Sequence, residues 1–375
     1  MKRTFFIMAV VMLLTGCYQK TDSPRDSWAR GCDLSWLSEM EHDGVTFHTV
    51  GEEAQEGVDC IGLLRREGMN AVRLRVWVNH SMGWSNKEDM VSLAKRAAAQ
   101  GQRIMIDIHY SDFFADPSHQ TPPAAWRFYS YEQMLEAVRE HTLDVLYALK
   151  EEGVKPEWVQ IGNETPNGML WPMGKVREPA KGREPSEISK QHWNRYAAFT
   201  KTGYEAAKEA FPDIHVIVHV DNAYMYRDWF WNALREHGGK WDMIGLSHYP
   251  MMYDWCHHPW EEMNELAEQN VRRLIREYRC PVMICEVGMM NWGEGSIYDS
   301  VAAASDEVMR DFVGRMERID SCMGIFYWEP EVYGGWRPQE YIPLGWNGYD
   351  MGSFTPDGTP SPALRTLLQS EKTNE

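Results

Sequence analysis

The chain is predicted to fold as one (β/α)8 TIM barrel, an α/β architecture. Eight strand-like segments alternate with helix-like segments over its 375 residues, at about 42 residues per repeat. No second compositional regime or low-complexity segment interrupts this alternation. Polar side chains gather where the strand-like segments end, and barrel enzymes build their active sites at the carboxyl ends of their strands. These observations favour a single large domain over two smaller ones.

Each predicted strand is a short apolar run that ends on polar or aromatic residues. In chain order the predicted strands are 28–36, 71–78, 103–109, 157–164, 214–221, 241–249, 281–286 and 322–329. Helical periodicity predicts helices at 58–67, 87–99, 131–152, 187–210, 229–237, 260–278 and 299–319, with a short one at 361–368. Glycine or proline marks many of the joints between these segments.

The amino terminus has the pattern of a bacterial lipoprotein signal. Two basic residues precede a short apolar run, and the sequence LTGC then ends at Cys17. We expect residues 1–16 to be a signal peptide, Cys17 to be lipidated, 17–27 to be a polar tether and 28–375 to be the catalytic domain. The expected location is the bacterial cell envelope, at the outer membrane. An ordinary secretory signal with an incidental cysteine is the alternative.

The composition limits the classes of partner. A formal charge of −17 and a pI of about 5.3 argue against a nucleic-acid partner, because phosphate binding needs a basic face. No CxxC or CxxH spacing occurs, so a zinc site is not expected. Cys280 and Cys322 each begin a predicted strand, and these strands would be neighbours. Either a disulfide joins them or both are buried free thiols. We expect a monomer without a cofactor.

Glu164 and Glu286 close two of the predicted strands, the fourth and the seventh. A strand that is buried on both faces is rarely polar except at its end. In a parallel barrel these ends meet at one rim, so the two carboxylates are expected to converge on one pocket. Such a pair is typical of a glycosidase, which needs one protonated acid and one ionised nucleophile or base. A single glutamate at a strand end would more simply be a salt-bridge partner.

Several residues beside these strand ends are candidate substrate or support contacts. Asn163 is expected to bind a sugar 2-hydroxyl. Arg75 is expected either to orient Glu286 and keep it ionised or to pair with Asp107. Tyr249 is expected either to donate a hydrogen bond to Glu286 or to cap the barrel.

Aromatic and histidine side chains extend the predicted site. His109 and His248 are expected to shape the pocket through hydrogen bonds, and Trp328 to form a sugar platform. Most of the 17 tryptophans lie at or beyond strand ends, which favours a carbohydrate cleft. Those expected in loops around the rim are Trp84, Trp126, Trp171, Trp292, Trp336 and Trp346.

Nine stretches together resemble the family 53 glycoside hydrolases, the arabinogalactan endo-β-1,4-galactanases. They span almost all of residues 31–330. The stretches are GCDLSW (31–36), VRLRVWVN (72–79), DIHYSDFFADP (107–117), PPAAW (122–126), VQIGNE (159–164), GMLWP (168–172), IGLSHYP (244–250), ICEVG (284–288) and YWEP (327–330).

The resemblance implies a clan A barrel that hydrolyses β-1,4-galactan, the galactan of type I arabinogalactan, internally and with retention of configuration. It assigns the acid/base role to Glu164 and the nucleophile role to Glu286. The substrate contacts that it implies fall on Arg75, His109, Asp112, Asn163, Tyr249 and Trp328. Trp84 and Trp346 are added from their predicted rim positions.

The loop after the seventh strand departs from some bacterial relatives, in which a longer loop binds calcium. Here residues 287–295 offer few oxygen ligands, whereas calcium takes six to eight, so bound calcium is not expected.

Two alternatives to a galactan hydrolase remain open from the sequence. One is a surface lipoprotein that binds glycans without hydrolysing them, and the other is a different clan A enzyme such as a β-mannanase or a xylanase.

Overall fold

The computed structural model describes residues 28–51, 57–178, 186–252, 258–291, 295–344 and 351–370. Eight parallel strands close into a barrel, and each strand pairs with its neighbours in chain order. The strands are β1 (Ala29–Asp33), β2 (Ala71–Val76), β3 (Arg103–Ile108), β4 (Trp158–Ile161), β5 (His215–Val220), β6 (Met243–His248), β7 (Val282–Val287) and β8 (Cys322–Tyr327). Pairing of β1 with β8 closes the ring. The predicted fold class is confirmed.

A helix follows each strand on the outside of the barrel. The helices are α1 (Cys60–Arg66), α2 (Lys87–Ala99), α3 (Tyr131–Glu151), α4 (Glu187–Ala210), α5 (Asp228–Glu236), α6 (Trp260–Tyr278), α7 (Gly295–Glu317) and α8 (Pro362–Leu368). Smaller elements that the periodicity did not predict are a helix at Leu37–His42, 3-10 turns at Ala124–Trp126 and Gln339–Leu344, and a two-stranded hairpin formed by Gly168–Met169 and Gly174–Lys175.

Side-chain caps explain why several helices begin where the sequence predicts. Ser130 accepts a hydrogen bond from the backbone N–H of Gln133, whose side chain in turn accepts from the Ser130 N–H. Such a reciprocal cap pairs two N–H groups that the helix leaves without a partner. Ser186 and Ser361 cap α4 and α8 through their hydroxyls. Among the described residues, no helix combines the length and the apolar character that crossing a membrane requires.

The interior of the barrel is divided into an apolar floor and a polar upper layer. The floor consists of Ala29, Ala71, Met105, Trp158, Ile217, Met243, Met283, Cys285 and Phe326. Two or four residues further along the strands, the inward positions change to charged and polar groups. These are Asp33, Arg73, Asp107, Gln160, His219 and Ser247, and all are at most 1% exposed. The apolar floor seals the lower end of the barrel, so the polar layer opens only toward the rim at the carboxyl ends of the strands.

Cys280 and Cys322 are both thiols in the structure, so the disulfide is not formed. The register explains this, because Cys322 lies opposite Val282 rather than Cys280. Cys322 packs into the layer between the barrel and the helices, whereas Cys280 bonds with Trp241 before β7 begins. The alternative of two thiols without a disulfide is the correct one.

Cys17 and the tether lie outside the described residues.

Candidate active site

Glu164 and Glu286 meet at the mouth of the barrel, as predicted. The hydroxyl of Ser247, at the end of β6, lies between them. It donates to Glu164 Oε1 at 2.6 Å and lies 3.4 Å from Glu286 Oε2. Both glutamates are nearly buried, with 9% of Glu164 and 4% of Glu286 exposed. Two carboxyl groups therefore face a single point above the polar layer.

A β-bulge in β7 directs Glu286 inward. Met283 and Cys285 belong to the apolar floor, so strict alternation along β7 would send Glu286 out toward the helices. The pairing with β6 shifts after Leu246↔Ile284, and the next pair is Ser247↔Glu286. The extra residue rotates the end of the strand, as bulges beside active sites commonly do.

The backbone at the end of β4 is turned sharply so that Glu164 faces the pocket. Gly162 has φ +84°, which its missing Cβ permits, and Glu164 itself has φ +41°. A left-handed backbone at a non-glycine residue costs about 1–3 kcal/mol and persists where its surroundings enforce it. Here the side-chain amide of Gln120 donates to the carbonyls of Asn163 and Glu164 at 2.8 and 3.1 Å.

Arg73 is the central cation of the site. Its Nη2 donates to Glu286 Oε1 at 2.8 Å, and Tyr249 donates to Glu286 Oε2 at 2.6 Å. The predicted bond from Tyr249 is therefore confirmed. The guanidinium makes further contacts at 2.5–2.9 Å with Asp33, Asp107, Gln160 and Asn163. A charge buried this deeply is stable only because each partner is also fixed.

Arg75 has a different role from the one predicted. Both expectations were wrong, because Arg73 makes the contacts with Glu286 and Asp107 that were assigned to Arg75. Both arginines face inward, since they are two residues apart on β2, but Arg75 lies nearer the rim. There it pairs with Glu329 at 2.5 Å.

An aromatic cluster surrounds the Arg75 guanidinium. The carbon centre lies 4.0–4.7 Å from the ring centroids of Trp36, Trp77 and Phe114. Among the described residues, its Nε and Nη2 have no hydrogen-bond acceptor, so they face the rings. Cation–π contact of this kind is stronger when water is excluded. Trp36 and Trp77 are thus fully buried core residues, although each lies at a strand end.

The two catalytic candidates differ in what surrounds them. Burial raises the pKa of Glu164 well above its ordinary value, and repulsion from Glu286 and Asp221 adds to this rise. Burial also raises the pKa of Glu286, but Arg73 and Tyr249 oppose that rise by stabilising the ionised form. When the two groups share one proton, it therefore resides on Glu164.

The remaining predicted polar contacts are largely occupied within the protein. His109 donates from Nε2 to Asp107 at 2.8 Å and accepts the Ala115 N–H at Nδ1. Asn163 accepts from Arg73 and donates to the Ala115 carbonyl at 2.9 Å. His248 does not enter the pocket. It points outward, bonds Asn264 at 2.8 Å and stacks on Phe312, because alternation along β6 turns Ser247 inward instead.

Loops after β3 and β4 form an open cavity of about 730 Å³ at the rim. Its lining mixes charged and aromatic side chains, among them Asp112, Phe113, Asp116, His119, Arg127 and Trp171. Both carboxylate oxygens of Asp112 accept backbone N–H groups, from Asn79 and Ala124, so it also shapes these loops. Asp112 therefore lies at the rim of the barrel.

The predicted tryptophans separate into three groups. Trp328 is partly exposed and meets Tyr249 edge-on, with the ring centroids 6.1 Å apart. Trp84, Trp171 and Trp336 are also partly exposed, whereas Trp126 is 7% exposed and belongs to the core. Trp292 and Trp346 lie outside the described residues.

Five residues of the polar layer have no role assigned from the sequence: Asp33, Arg73, Gln160, His219 and Ser247. Arg73, His219 and Ser247 are each a polar side chain at an inward position of a strand whose outward positions are mostly apolar. This alternation of inward polar and outward apolar residues is the sequence signal that could have identified them.

Within the described ranges, no group of three or more His, Cys, Asp or Glu side chains is arranged to hold a metal ion.

Comparison with known proteins places this geometry in a family. The model of glycosyl hydrolase family 53 matches residues 29–367. A Niallia circulans protein, described as an uncharacterized protein in the bgaB 5′ region, is 30% identical over 92% of this chain and 96% of its own length. A probable arabinogalactan endo-β-1,4-galactanase A of Neosartorya fischeri is 30% identical over 80% of this chain and 83% of its own.

A solved structure agrees with the observed fold. A fungal β-1,4-galactanase superposes with a TM-score of 0.74 at 24% identity, over 91% of this chain and 98% of its own. At that identity the match concerns the barrel alone, whereas the family model covers both strands that carry the glutamates. The chain belongs to glycosyl hydrolase family 53.

Proposed function

We propose that the protein is an endo-acting glycoside hydrolase that cleaves β-1,4-galactosidic bonds in galactan, including type I arabinogalactan, with retention of configuration. Glu164 is the acid/base and Glu286 the nucleophile. The observation that carries this proposal is the contact of both carboxyl groups with Ser247 at the barrel mouth. The sugar and the linkage are those in the names of the curated relatives.

The spacing of the carboxyl groups supports retention. Through their distances to the shared hydroxyl, Glu164 Oε1 and Glu286 Oε2 are at most about 6 Å apart. Retaining enzymes hold their carboxyl groups roughly 5–5.5 Å apart, and inverting enzymes roughly 6.5–9.5 Å to admit a water between them. The upper bound lies below the range of inverting enzymes, which favours direct attack by a carboxylate.

The reaction then has two steps. Glu286 attacks the anomeric carbon while Glu164 gives its proton to the departing glycosidic oxygen, which leaves a galactosyl ester on Glu286. Glu164, now ionised, takes a proton from water, and the water oxygen displaces Glu286 at the same carbon. Two inversions give net retention. Arg73 and Tyr249 hold Glu286 in position and stabilise the charge that it regains.

Internal cleavage is supported by the open cavity beside β3 and β4 and by partly exposed aromatic rings in loops after different strands. We assign sugar contacts to Asn163, His109, Asp112, Tyr249 and Trp328, with Trp84 and Trp346 in outer subsites. Arg75 is 2% exposed behind aromatic rings, so we do not include it among the direct contacts.

Two glutamate variants test the roles. Glu286→Ala should abolish turnover while glycan binding persists, because the nucleophile is lost but the cleft is not. Glu164→Ala should retain slow hydrolysis of aryl galactosides with good leaving groups, which need no acid. Glu157→Gln is a matched control, because Glu157 precedes β4 at the opposite end and pairs with Arg103. Full activity of either catalytic variant on galactan, or inversion of the first-formed anomer by NMR, would overturn the assignment.

The substrate is tested with galactan, mannan and xylan, with the products sized over time. Endo cleavage of galactan predicts a rapid fall in polymer size and mixed oligosaccharides as early products. Galactose alone as the first product would contradict the endo mode. Hydrolysis of mannan or xylan but not galactan would contradict the substrate, and binding without hydrolysis would indicate a glycan-binding lipoprotein.

We also propose that the mature protein is a monomer held at the outer membrane by a lipid on Cys17. The LTGC sequence and the polar segment after it support this. Cys17→Ala should move the protein from the membrane fraction to the soluble fraction. An unlipidated mass for the wild-type protein would refute the anchor.

We infer further that catalysis needs no cofactor or calcium, because two carboxyl groups supply the chemistry.

A further inference from the structure

A buried chain of hydrogen bonds leads from the barrel interior to Glu164. It runs from Gln160 on β4 to His219 on β5, then to Ser247 on β6, and ends at the carboxyl group. The successive distances are 2.9, 2.9 and 2.6 Å. Gln160, His219 and Ser247 are each 0% exposed. None of them was given a role in the mechanism above, although Ser247 touches both carboxyl groups.

The orientation of the Gln160 amide is determined by its other partners. Its Oε1 accepts from Arg73 Nε at 2.7 Å, so this atom is the oxygen. Its Nε2 then donates one hydrogen to Asp107 Oδ1, and the second points at His219 Nδ1, each at 2.9 Å. Arg73 can only donate and the Asp107 carboxylate can only accept. Reversing the amide would therefore lose the hydrogen bonds with both Arg73 and Asp107.

This orientation selects one tautomer of His219. Nδ1 is approached by two N–H donors, the Gln160 amide and, at 3.4 Å, the backbone of Glu164. Asn163 Oδ1 also lies 2.9 Å from Nδ1, but a hydrogen on Nδ1 would point toward the N–H of Gln160 at 2.9 Å and leave that N–H without an acceptor. Nδ1 is therefore the acceptor, and the single ring hydrogen lies on Nε2. Burial, followed by the nearby Arg73, keeps the pKa of His219 well below its ordinary value, so the ring is neutral.

The tautomer in turn orients Ser247. A hydrogen on Nε2 donates to Ser247 Oγ, so the serine must direct its own hydrogen elsewhere. The nearest acceptor is Glu164 Oε1, at 2.6 Å, and Glu286 Oε2 is farther away at 3.4 Å. Oε1 thus accepts a hydrogen bond whether Glu164 is ionised or protonated. Within the described residues, no group bonds the other oxygen, Oε2.

We propose that His219 and Ser247 are positioning residues that keep Oε1 of Glu164 an acceptor and so confine its exchangeable proton to Oε2. This rests on the proposed acid/base role of Glu164. The proton given to the glycosidic oxygen in the first step then leaves from Oε2, and the proton taken from water in the second step arrives at the same oxygen. We call the hydrogen-bonded chain of Gln160, His219 and Ser247 the relay. Without the relay, the proton could reside on either oxygen of Glu164, and only one of these oxygens is turned toward the leaving group.

The relay also adjusts the acidity of Glu164, since a bond to the ionised form favours that form. Removing the Ser247 hydroxyl should raise the pKa of Glu164 and move the basic limb of the kcat/KM profile to higher pH. The charged or titratable groups around the relay and Glu164 are Arg73 on β2, Asp107 on β3, His109 and Asp116 after β3, Glu164 after β4, Asp221 after β5, Tyr249 after β6 and Glu286 on β7. The variants below leave all of these in place, so a shift in the limb reports the relay.

The test compares Ser247→Ala with His219→Gln, whose amide nitrogen supplies a donor where Nε2 lies. The substrates are aryl galactobiosides with good and with poor leaving groups. For Ser247→Ala we expect kcat on poor leaving groups to fall roughly 10–100-fold, on good ones less than about 3-fold, with KM nearly unchanged and the basic limb higher by about one pH unit. His219→Gln should retain most of the activity. His248→Gln on the same strand, which faces Asn264, should keep the wild-type limb.

Equal losses on both substrate classes, or a basic limb that does not move, would show that Ser247 only supports the fold.

A second test uses the wild-type protein, so it does not depend on whether a variant folds. In ¹⁵N NMR, His219 should be neutral with its hydrogen on Nε2 from pH 5 to 8, and an Nδ1-protonated ring or an imidazolium would overturn the proposal. If wild-type protein does not cleave galactan, the proposed function fails. If it does and only the relay tests fail, the proposed function still stands.

Discussion

Arg73 and Glu286 form a 2.8 Å ion pair across the mouth of the barrel, although β2 and β7 are not neighbouring strands. The pair connects the polar layer inside the barrel to the proposed nucleophile. Arg73 also binds Asp33 and Asp107, and all three side chains are almost completely buried. The position of the nucleophile thus depends on residues from several strands, which a change in any one of them would disturb.

The first prediction concerns Arg73→Lys. A single ammonium group cannot replace a planar guanidinium that serves five partners. We expect kcat to fall by roughly two to three orders of magnitude, and the free energy of unfolding to fall by about 3–5 kcal/mol because buried carboxylates lose their partner. Steady-state kinetics and urea unfolding measure both. Arg103→Lys, at the other end of the barrel, is the control, and equal effects in the two variants would contradict a special role for Arg73.

The second prediction concerns Tyr249→Phe. Burial raises the pKa of Glu286, whereas Arg73 and then Tyr249 oppose that rise. Removing the hydroxyl should therefore raise this pKa further, and the acid limb of the kcat/KM profile should move to higher pH by roughly one unit. The ring remains, so contacts with Trp328 persist. A profile that keeps its acid limb would show that Tyr249 does not influence the ionisation of Glu286.

The third prediction links stability to pH through Glu39. Burial raises the pKa of this carboxyl to about 7, although a hydrogen bond from Tyr341 opposes the rise. A carboxyl whose pKa is raised in the folded state stabilises the fold below its unfolded pKa and loses that contribution as pH rises toward 7. Glu39→Gln should therefore flatten the fall in Tm between pH 4.5 and 7. Parallel slopes for wild type and variant would refute this.

The fourth prediction is that a reducing agent leaves stability unchanged. Cys280 and Cys322 form no disulfide, so dithiothreitol should not lower the Tm of the Cys17→Ala protein. Loss of a disulfide typically costs 2–5 kcal/mol, which a thermal melt would detect easily. A clear drop in Tm, or a mass two hydrogens lower in the unreduced protein, would indicate a disulfide after all.

The fifth prediction is that a chelator has no effect on stability or activity. A specifically bound cation stabilises the folded state by mass action, so its removal lowers Tm. Residues 287–295 contain few oxygen ligands for calcium, and EDTA should therefore change neither Tm nor kcat. Restoration of a lost Tm by added calcium would contradict the prediction.

The sequence alone determined the fold and the two catalytic candidates. Apolar runs, helical periodicity and residue spacing are local properties, and they sufficed to predict every barrel strand and most helix bounds. Glu164 and Glu286 were identifiable because a carboxylate at the end of a buried strand is conspicuous. For Tyr249 the sequence left two alternatives, a bond to Glu286 or a cap on the barrel, and the bond is the one that forms.

Only the tertiary structure decided which side chains support those glutamates. Arg73 and Arg75 are alike in sequence, and the height of each along the barrel axis determines that one meets Glu286 and the other Glu329. Alternation in β7 would even have pointed Glu286 outward, and the bulge that reverses it depends on pairing with β6. Pairing between strands far apart in sequence has no local signal, because it is set by register and closure of the whole barrel.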